Sequence, residues 1–129
     1  MFRASIRLFQ VAKQTTGIAG LAVHPDPLPA LKQTYNTTLA ELQTLPASSS
    51  YRQAIESITR SRLKIVDGAQ GDVQKVEQAI GGGQIEEILD TATDELNLIA
   101  KISTMAPWEP LEEKPAPNQW KYFGEESSN

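Results

Sequence analysis

The chain has 129 residues and a formal net charge of −4, and hydrophobic residues make up 40% of it. This length and composition predict one globular domain rather than a disordered or membrane-spanning chain. The sequence contains no cysteine, which excludes disulfides, thiolate zinc sites and cysteine-ligated iron–sulfur clusters, because each of these requires cysteine sulfur.

The positive charge is concentrated at the N-terminus. Residues 1–13 contain Arg3, Arg7 and Lys13 and no acidic residue, so they carry +3 and the remaining residues carry −7. An acidic body argues against nucleic acid as a ligand, since phosphates attract basic surfaces. The arginine-bearing, acid-free start is typical of a mitochondrial targeting sequence, although an ordinary amphipathic terminus has a similar composition.

The first helix is predicted after a proline-rich lead-in. Three prolines in residues 24–29 favour an extended backbone, and Asp26 followed by Pro27 is typical of a helix N-cap and first turn. Apolar residues at steps of three and four continue to Leu42, and Pro46 ends the helix.

A second helix is expected to start at Ser50, which matches a capping box with Gln53, and to end near Gly68. Arg62 lies near the middle of its apolar stripe, where a simple amphipathic helix has no charge. Either its stem covers apolar surface while its head reaches the rim, or it pairs with a carboxylate of another helix or another subunit.

A short helix and a long one complete the predicted bundle. Asp72 is a suitable cap for a helix over residues 73–80, and the three glycines at 81–83 interrupt the chain. The last helix is predicted over residues 84–105. Its residues Leu98 and Ile102 form a second apolar face, which suggests that it packs on something besides its own bundle.

These elements predict an all-α fold, a small antiparallel bundle of three main helices plus one short helix. We expect a basic targeting-like segment over residues 1–14, the bundle over residues 15–106 and an extended C-terminal arm over residues 107–129. The residues expected to be buried between the helices are Leu31, Leu42, Ile55, Ile58, Leu89, Leu96 and Ile99.

Two glycine-containing segments are weak candidates for nucleotide binding. Residues 81–84 precede a helix but lack the Gly-Lys-Ser/Thr ending of a phosphate loop, and Glu86 and Glu87 would repel phosphate. Residues 17–20 lack the third glycine and the preceding strand of a dinucleotide fingerprint. We therefore interpret the first as a helix–helix turn and the second as a flexible lead-in.

The titratable residues form no recognisable catalytic set. His24 is the only histidine and is expected at the surface. The acidic residues of the last helix are expected to form its solvated face: Glu86, Glu87, Asp90 and Asp94. We expect no catalytic residue, no metal and no cofactor.

The arm after Pro107 is the strongest candidate for binding a partner. Four prolines prevent regular structure, yet the arm carries both tryptophans, which are favoured anchors at protein interfaces. Trp108 could instead fold back on the bundle. The residues expected to contact a partner are Leu98, Ile102, Trp108, Pro110, Leu111, Trp120 and Tyr122.

Six short motifs together resemble a known family. They are TTGIAGLAV (15–23), SYR (50–52), GGQIEE (82–87), ELNL (95–98), PWEPL (107–111) and QWK (119–121). In their order and spacing the chain resembles alpha subcomplex subunit 5 of mitochondrial respiratory complex I, the NADH:ubiquinone oxidoreductase.

The resemblance implies a helical accessory subunit without catalytic chemistry of its own. Such a subunit lies on the peripheral arm of complex I, at the matrix side of the mitochondrial inner membrane, and assembles or stabilises that arm. Its main neighbour would be the 30-kDa iron–sulfur-protein-fraction subunit, and it would bind no flavin, quinone or cluster. A freestanding helical adaptor or chaperone-like protein is the alternative.

Overall fold

The computed structural model describes residues 13–117 and residue 119. Its regular structure there consists of α1 (Pro27–Leu42), α2 (Ser50–Gly68), α3 (Val73–Ile80) and α4 (Ile85–Met105). The predicted all-α fold, with three main helices and one short helix, is confirmed. None of the helices in this part of the chain has the length and apolar character that a membrane crossing requires.

Two core clusters determine the direction of the helices. One cluster joins the first half of α1, at Leu31, to the end of α2 and to the first half of α4, at Ile88. The other joins the end of α1, at Leu42, to the first half of α2, at Ile55, and to the second half of α4, at Ile99. Successive main helices therefore run antiparallel, and α1 and α4 run in the same direction.

Most of the predicted core residues lie in these clusters. Leu31, Leu42 and Ile99 are buried, whereas Ile55, Leu89 and Leu96 are half-buried against the clusters. The prediction for Ile58 is wrong, since 48% of this residue is exposed. The reason is that α2 and α4 both pack closely on α1 but approach each other mainly through side chains, so Ile58 lies at the gap between them rather than under a helix.

The cap of α2 lies one residue earlier than predicted. The hydroxyl of Ser49 accepts a hydrogen bond from the N–H of Arg52 at 3.4 Å, and Ser50 is already the first helical residue. The predicted capping box of Ser50 and Gln53 is therefore wrong. A run of three serines offers equivalent hydroxyls, so sequence alone does not select the capping one.

Two aspartates precede helices, and only one of them caps with its side chain. Asp72 accepts a hydrogen bond from the N–H of Lys75 at 3.3 Å, as predicted. Asp26 makes no side-chain cap bond to α1, and its N–H donates to Nδ1 of His24 at 3.1 Å. Pro27 has no N–H, so α1 starts with one fewer donor to satisfy. His24, expected at the surface, is half-buried.

Candidate interaction site

The segment that precedes α1 is bonded to the start of α4. The ammonium of Lys13 donates to Oε2 of Glu86 at 2.5 Å and to Oε1 of Gln84 at 2.9 Å. Gln84 in turn donates through Nε2 to the carbonyl of Thr16 at 2.7 Å, and the N–H of His24 donates to Oε1 of Glu86 at 3.3 Å. We call these five residues the N-terminal junction.

Glu86 is a buried charge whose partners are in place. It is 4% exposed, so its assignment to the solvated face of the last helix is wrong. Burial by itself would raise the pKa of Glu86, but the bonds from Lys13 and from backbone N–H groups, including that of His24, lower the pKa below its usual value. Glu86 therefore stays ionised in the native state.

Lys13 belongs to the segment 1–14 that was expected to resemble a targeting sequence, yet its side chain is bonded to the bundle. Residues 1–12 lie outside the described part of the chain. The targeting function therefore remains a prediction.

Carboxylates accept hydrogen bonds from the backbone N–H groups at the start of α4. The N–H of Gln84 donates to Oε2 of Glu87 at 2.7 Å, and the N–H of Ile85 donates to Oε1 of Glu77 on α3 at 2.8 Å. Gly83 permits this arrangement, because its φ is +88° and an added Cβ would lie 2.3 Å from Oε2 of Glu87. The glycine segment is thus a connection between α3 and α4.

Of the other acidic residues predicted for the solvated face, Asp90 and Asp94 lie as predicted, whereas Glu87 is half-buried. Asp90 and Asp94 are exposed and, with Glu87, border a cavity of about 350 Å³ between α4 and residues 18–21. Across residues 13–117 and 119, no group of three histidine, cysteine, aspartate or glutamate side chains is placed to hold a metal ion.

A second cavity, of about 170 Å³, lies where α2 and α4 diverge over α1. We call it the α2–α4 cleft. Its lining includes Tyr35 of α1, Ile55, Ile58 and Arg62 of α2, and Ala92 and Glu95 of α4. The cleft combines exposed apolar surface with polar groups, as binding sites for protein segments commonly do.

The hydroxyl of Tyr35 is the exceptional group in this cleft. Tyr35 is 3% exposed, and its hydroxyl oxygen is buried without a hydrogen-bond partner among the residues described. Burial raises the pKa of Tyr35, and the nearby guanidinium of Arg62 partly opposes that increase through its charge and through a weak hydrogen-bond interaction in which Arg62 donates. That interaction provides no acceptor for the hydroxyl proton. The hydroxyl is therefore a neutral donor, and leaving it unpaired costs folding free energy.

Arg62 lies half-buried beside Tyr35 and has no carboxylate within ion-pair distance in the described part of the chain. Glu95 lines the same cleft, but its Oε1 accepts a hydrogen bond from the hydroxyl of Tyr51. The described residues therefore do not show the predicted ion pair between Arg62 and another helix. Two interpretations of Arg62 remain: its head lies at the rim, or it pairs with a carboxylate of another subunit.

The bond between Tyr51 and Glu95 connects α2 to α4 beside the cleft. Burial raises the pKa of Tyr51, and the Glu95 carboxylate raises it further, so Tyr51 remains a protonated donor. Glu95 is thereby held by a partner within the bundle, whereas Arg62 is not.

The residues predicted to bind a partner occupy different environments. Ile102 and Trp108 are half-buried against the cluster around Ile99, so Trp108 folds back on its own bundle. The exposed members are Leu98, Pro110 and Leu111, and Trp120 and Tyr122 lie outside the described residues. A role for any of the seven in binding stays a prediction.

Sequence reasoning missed the cleft, although one signal for it was present. Arg62 interrupts an apolar stripe, and the structure places it in one cleft with the exposed Ile58 and with Tyr35, whose hydroxyl proton has no acceptor in the described part of the chain. The stripe alone gave no reason to separate Ile58 from the buried residues, because it carries no information on how far neighbouring helices diverge.

Comparison with known proteins identifies the family. Residues 20–87 match the family described as the ETC complex I subunit conserved region. The chain is 49% identical over 110 residues to NADH dehydrogenase (ubiquinone) 1 alpha subcomplex subunit MCI4 of Candida albicans, which covers 84% of this chain and 78% of that protein.

Two further relatives carry the subunit 5 name. The chain is 44% identical over 110 residues to NADH dehydrogenase (ubiquinone) 1 alpha subcomplex subunit 5 of Bos taurus, covering 85% of this chain and 94% of that protein. It is 43% identical over 101 residues to the probable mitochondrial subunit 5 of Arabidopsis thaliana, covering 78% of this chain and 59% of that protein. The family match spans more than half of the chain, from the lead-in through α3 to the start of α4, and the chain therefore belongs to the family of complex I alpha subcomplex subunit 5.

Proposed function

We propose that this chain is a non-catalytic accessory subunit of mitochondrial complex I that assembles or stabilises the matrix-facing peripheral arm. That arm passes electrons from NADH to ubiquinone. The observation that carries the proposal is the 44% identity to a bovine protein named as subunit 5, over 85% of this chain and 94% of that protein.

The geometry supports a role in binding. The bundle satisfies most of its buried polar groups internally, but in the α2–α4 cleft no group of the described residues accepts a bond from Tyr35, and Ile58 is exposed. A surface of this kind gains free energy when another protein covers it, because the apolar area leaves water and the polar group obtains a bond.

We further propose that the chain is peripheral to the inner membrane on its matrix side and that its main neighbour is the 30-kDa subunit of the arm. On this proposal the electron carriers belong to other subunits, and the chain contributes shape and contacts rather than redox chemistry.

The proposal is tested by removing the chain from mitochondria and restoring it. Native gel electrophoresis should show loss of assembled complex I without the chain, and recovery when the full-length chain is expressed. The restored chain should migrate with the complex at near-megadalton size. Migration only at the size of the free protein would instead support the freestanding adaptor.

Deleting residues 115–129 tests the contribution of the arm, which carries Trp120 and Tyr122. We expect the helical circular dichroism of the purified protein to remain and its retention in complex I to fall, since the predicted anchors are lost. The control is the double variant Ser127→Ala and Ser128→Ala, which alters the arm without removing aromatic side chains. Full retention of the truncated protein would show that the arm is not an anchor.

A further inference from the structure

We propose that the α2–α4 cleft receives an acidic side chain, aspartate or glutamate, presented beside an apolar side chain by a neighbouring subunit of the complex. The carboxylate would accept hydrogen bonds from Arg62 and, after a local side-chain shift that uncovers the buried hydroxyl, from Tyr35. The apolar side chain would cover Ile58. This inference rests on the proposed function, because it takes the partner to be another subunit of complex I.

The unused polar groups specify the chemistry of the ligand. A guanidinium carries only donors, and the hydroxyl of Tyr35 is a neutral phenol whose proton has no acceptor among the described residues. Two adjacent donors, one of them cationic, select an acceptor with negative charge. A carboxylate fits this requirement because charge-assisted bonds from arginine to carboxylate are stronger than bonds between neutral groups.

The acceptor is missing from the bundle itself. Glu95 is the acidic residue that lines the cleft, and its bond with Tyr51 holds it on α4. Within residues 13–117 and 119, Arg62 has no ion pair, and no group accepts a hydrogen bond from the Tyr35 hydroxyl. Arg62 therefore has a positive charge that a partner's carboxylate would complement, whereas the carboxylate of Glu95 in the same cleft is bonded to Tyr51.

The apolar part of the cleft indicates a protein segment rather than a free anion. Ile58 is 48% exposed, and the half-buried Ile55 lines the cavity beside it. A small hydrophilic anion would leave this surface in water, whereas a side chain on a polypeptide covers it. The volume of about 170 Å³ suits one or two side chains better than a whole helix.

A photocrosslinking amino acid at position 58 of the full chain tests the proposal in intact mitochondria. After irradiation, complex I is isolated and the adduct is identified by mass spectrometry. We expect an adduct with a peptide of another subunit that contains aspartate or glutamate. The control places the same amino acid at Lys64, an exposed position on α2 outside the cleft, and should not give that adduct.

The outcomes separate this inference from the proposed function. If the chain does not migrate with complex I, the proposed function fails. If the chain is in the complex but position 58 gives no adduct, or gives one only with residues 118–129 of this chain, the inference is wrong and the function stands.

Charge reversal gives an independent measurement. Arg62→Glu should reduce retention in complex I about tenfold relative to Lys64→Glu, which changes the charge of the same helix by the same amount. Arg62→Lys should lie between the wild type and Arg62→Glu, because lysine keeps the charge but not the planar donor pair. Equal retention of the Arg62→Glu and Lys64→Glu variants would overturn the proposal.

Tyr35→Phe keeps the test decisive if Arg62→Glu fails to fold. This change removes only the unpaired hydroxyl, so the helical circular dichroism should be unchanged, while retention in the complex should fall several-fold. Unchanged retention would show that nothing in the complex accepts a bond from Tyr35 and would overturn the proposal.

Discussion

The N-terminal junction and the α2–α4 cleft differ in whether their buried polar groups have hydrogen-bond partners. At the junction, the carboxylate of Glu86 is bonded to Lys13 and to the backbone of His24, so a buried charge has its partners. In the cleft, the hydroxyl of Tyr35 is equally buried and has none among the described residues, although Arg62 lies beside it.

The difference separates groups that stabilise the fold from groups that are available for binding. Buried polar groups in native proteins are nearly always paired, and an unpaired one costs about 1–3 kcal/mol. A bundle that satisfies the junction yet leaves Tyr35 unpaired therefore gains little from that hydroxyl by itself. Substitutions in or beside these two regions, each measured against a matched control, therefore test the difference.

The largest expected effect is on the core beside the junction. Ile88 on α4 is 2% exposed, so Ile88→Ala should lower the free energy of unfolding by about 2–5 kcal/mol through lost burial and a cavity. Ile58→Ala makes the same chemical change at a residue that is 48% exposed, and should cost less than about 1 kcal/mol in the isolated chain. Urea denaturation of both variants measures the difference.

Equal losses of stability in these two variants would contradict the description of the cleft as open. They would mean that the isolated chain closes α4 over Ile58 in solution. A large loss of stability in Ile88→Ala, with little loss in Ile58→Ala, would support an open cleft at Ile58.

Gly83→Ala is expected to cause the next largest loss of stability. Gly83→Ala places a Cβ 2.3 Å from the Glu87 carboxylate at a φ of +88°, which displaces the group bonded to the N–H of Gln84. Strain and the lost bond together should cost about 2–3 kcal/mol. Gly81→Ala is the control, because Gly81 has a φ of +68° but no atom within 4 Å of an added Cβ.

Thermal unfolding followed by circular dichroism distinguishes the two glycines. Gly81→Ala should show only the strain, about 1–2 kcal/mol. If Gly83→Ala is no worse than Gly81→Ala, the Glu87 carboxylate moves without cost and does not hold the start of α4.

Sequence reasoning succeeded where a local signal determines the outcome. Asp72 and the glycines at 81–83 fixed the bounds of α3, and Pro46 lies just beyond α1, because capping and helix breaking depend on neighbouring residues. It failed where the outcome depends on distant residues. Glu86 was assigned to solvent because its partner Lys13 lies 73 residues away.

The candidate site could be predicted from the sequence less well than the fold. An apolar stripe at Ile55 and Ile58 predicts that a face of α2 is covered, but it does not reveal whether the covering helix belongs to the same chain. Arg62 was recognised as anomalous. Its neighbour Tyr35 lies among the periodic apolar residues of α1 and gives no such signal, because a missing hydrogen-bond acceptor is recognised only when the surroundings of the hydroxyl are known.

Removing the charge of Glu86 should lower the free energy of unfolding by a moderate amount. Glu86→Gln keeps the size of the side chain but removes the charge that Lys13 contacts, and should cost about 1–2 kcal/mol at neutral pH. Asp90→Asn is the control on the same helix, because Asp90 is exposed. Chemical denaturation at pH 7 measures both variants, and equal stabilities would show that the Glu86 charge contributes nothing.

The contribution of Glu86 should also depend on pH. Its native pKa is lower than the ordinary value of 4.5, so the unfolded state binds more protons between the two values and stability falls with decreasing pH there. The contribution is complete above about pH 4.5 and is lost as the pH falls through the lowered native pKa. The stability gap between the wild type and Glu86→Gln should therefore narrow in acid. A gap that stays constant down to pH 3 would show that the pKa of Glu86 is not lowered.

The smallest expected effects concern two tyrosines that differ in their bonding. Tyr51→Phe removes the donor to the Glu95 carboxylate and should destabilise the isolated chain by about 1 kcal/mol. Tyr35→Phe removes a hydroxyl that has no partner in the described bundle, so it should leave the stability unchanged or raise it by up to about 1 kcal/mol. Urea denaturation of the purified full-length variants compares them under one condition. If Tyr35→Phe destabilises the isolated chain as much as Tyr51→Phe does, then Tyr35 already has a bond within this protein. The contrast between the cleft and the junction would then be lost.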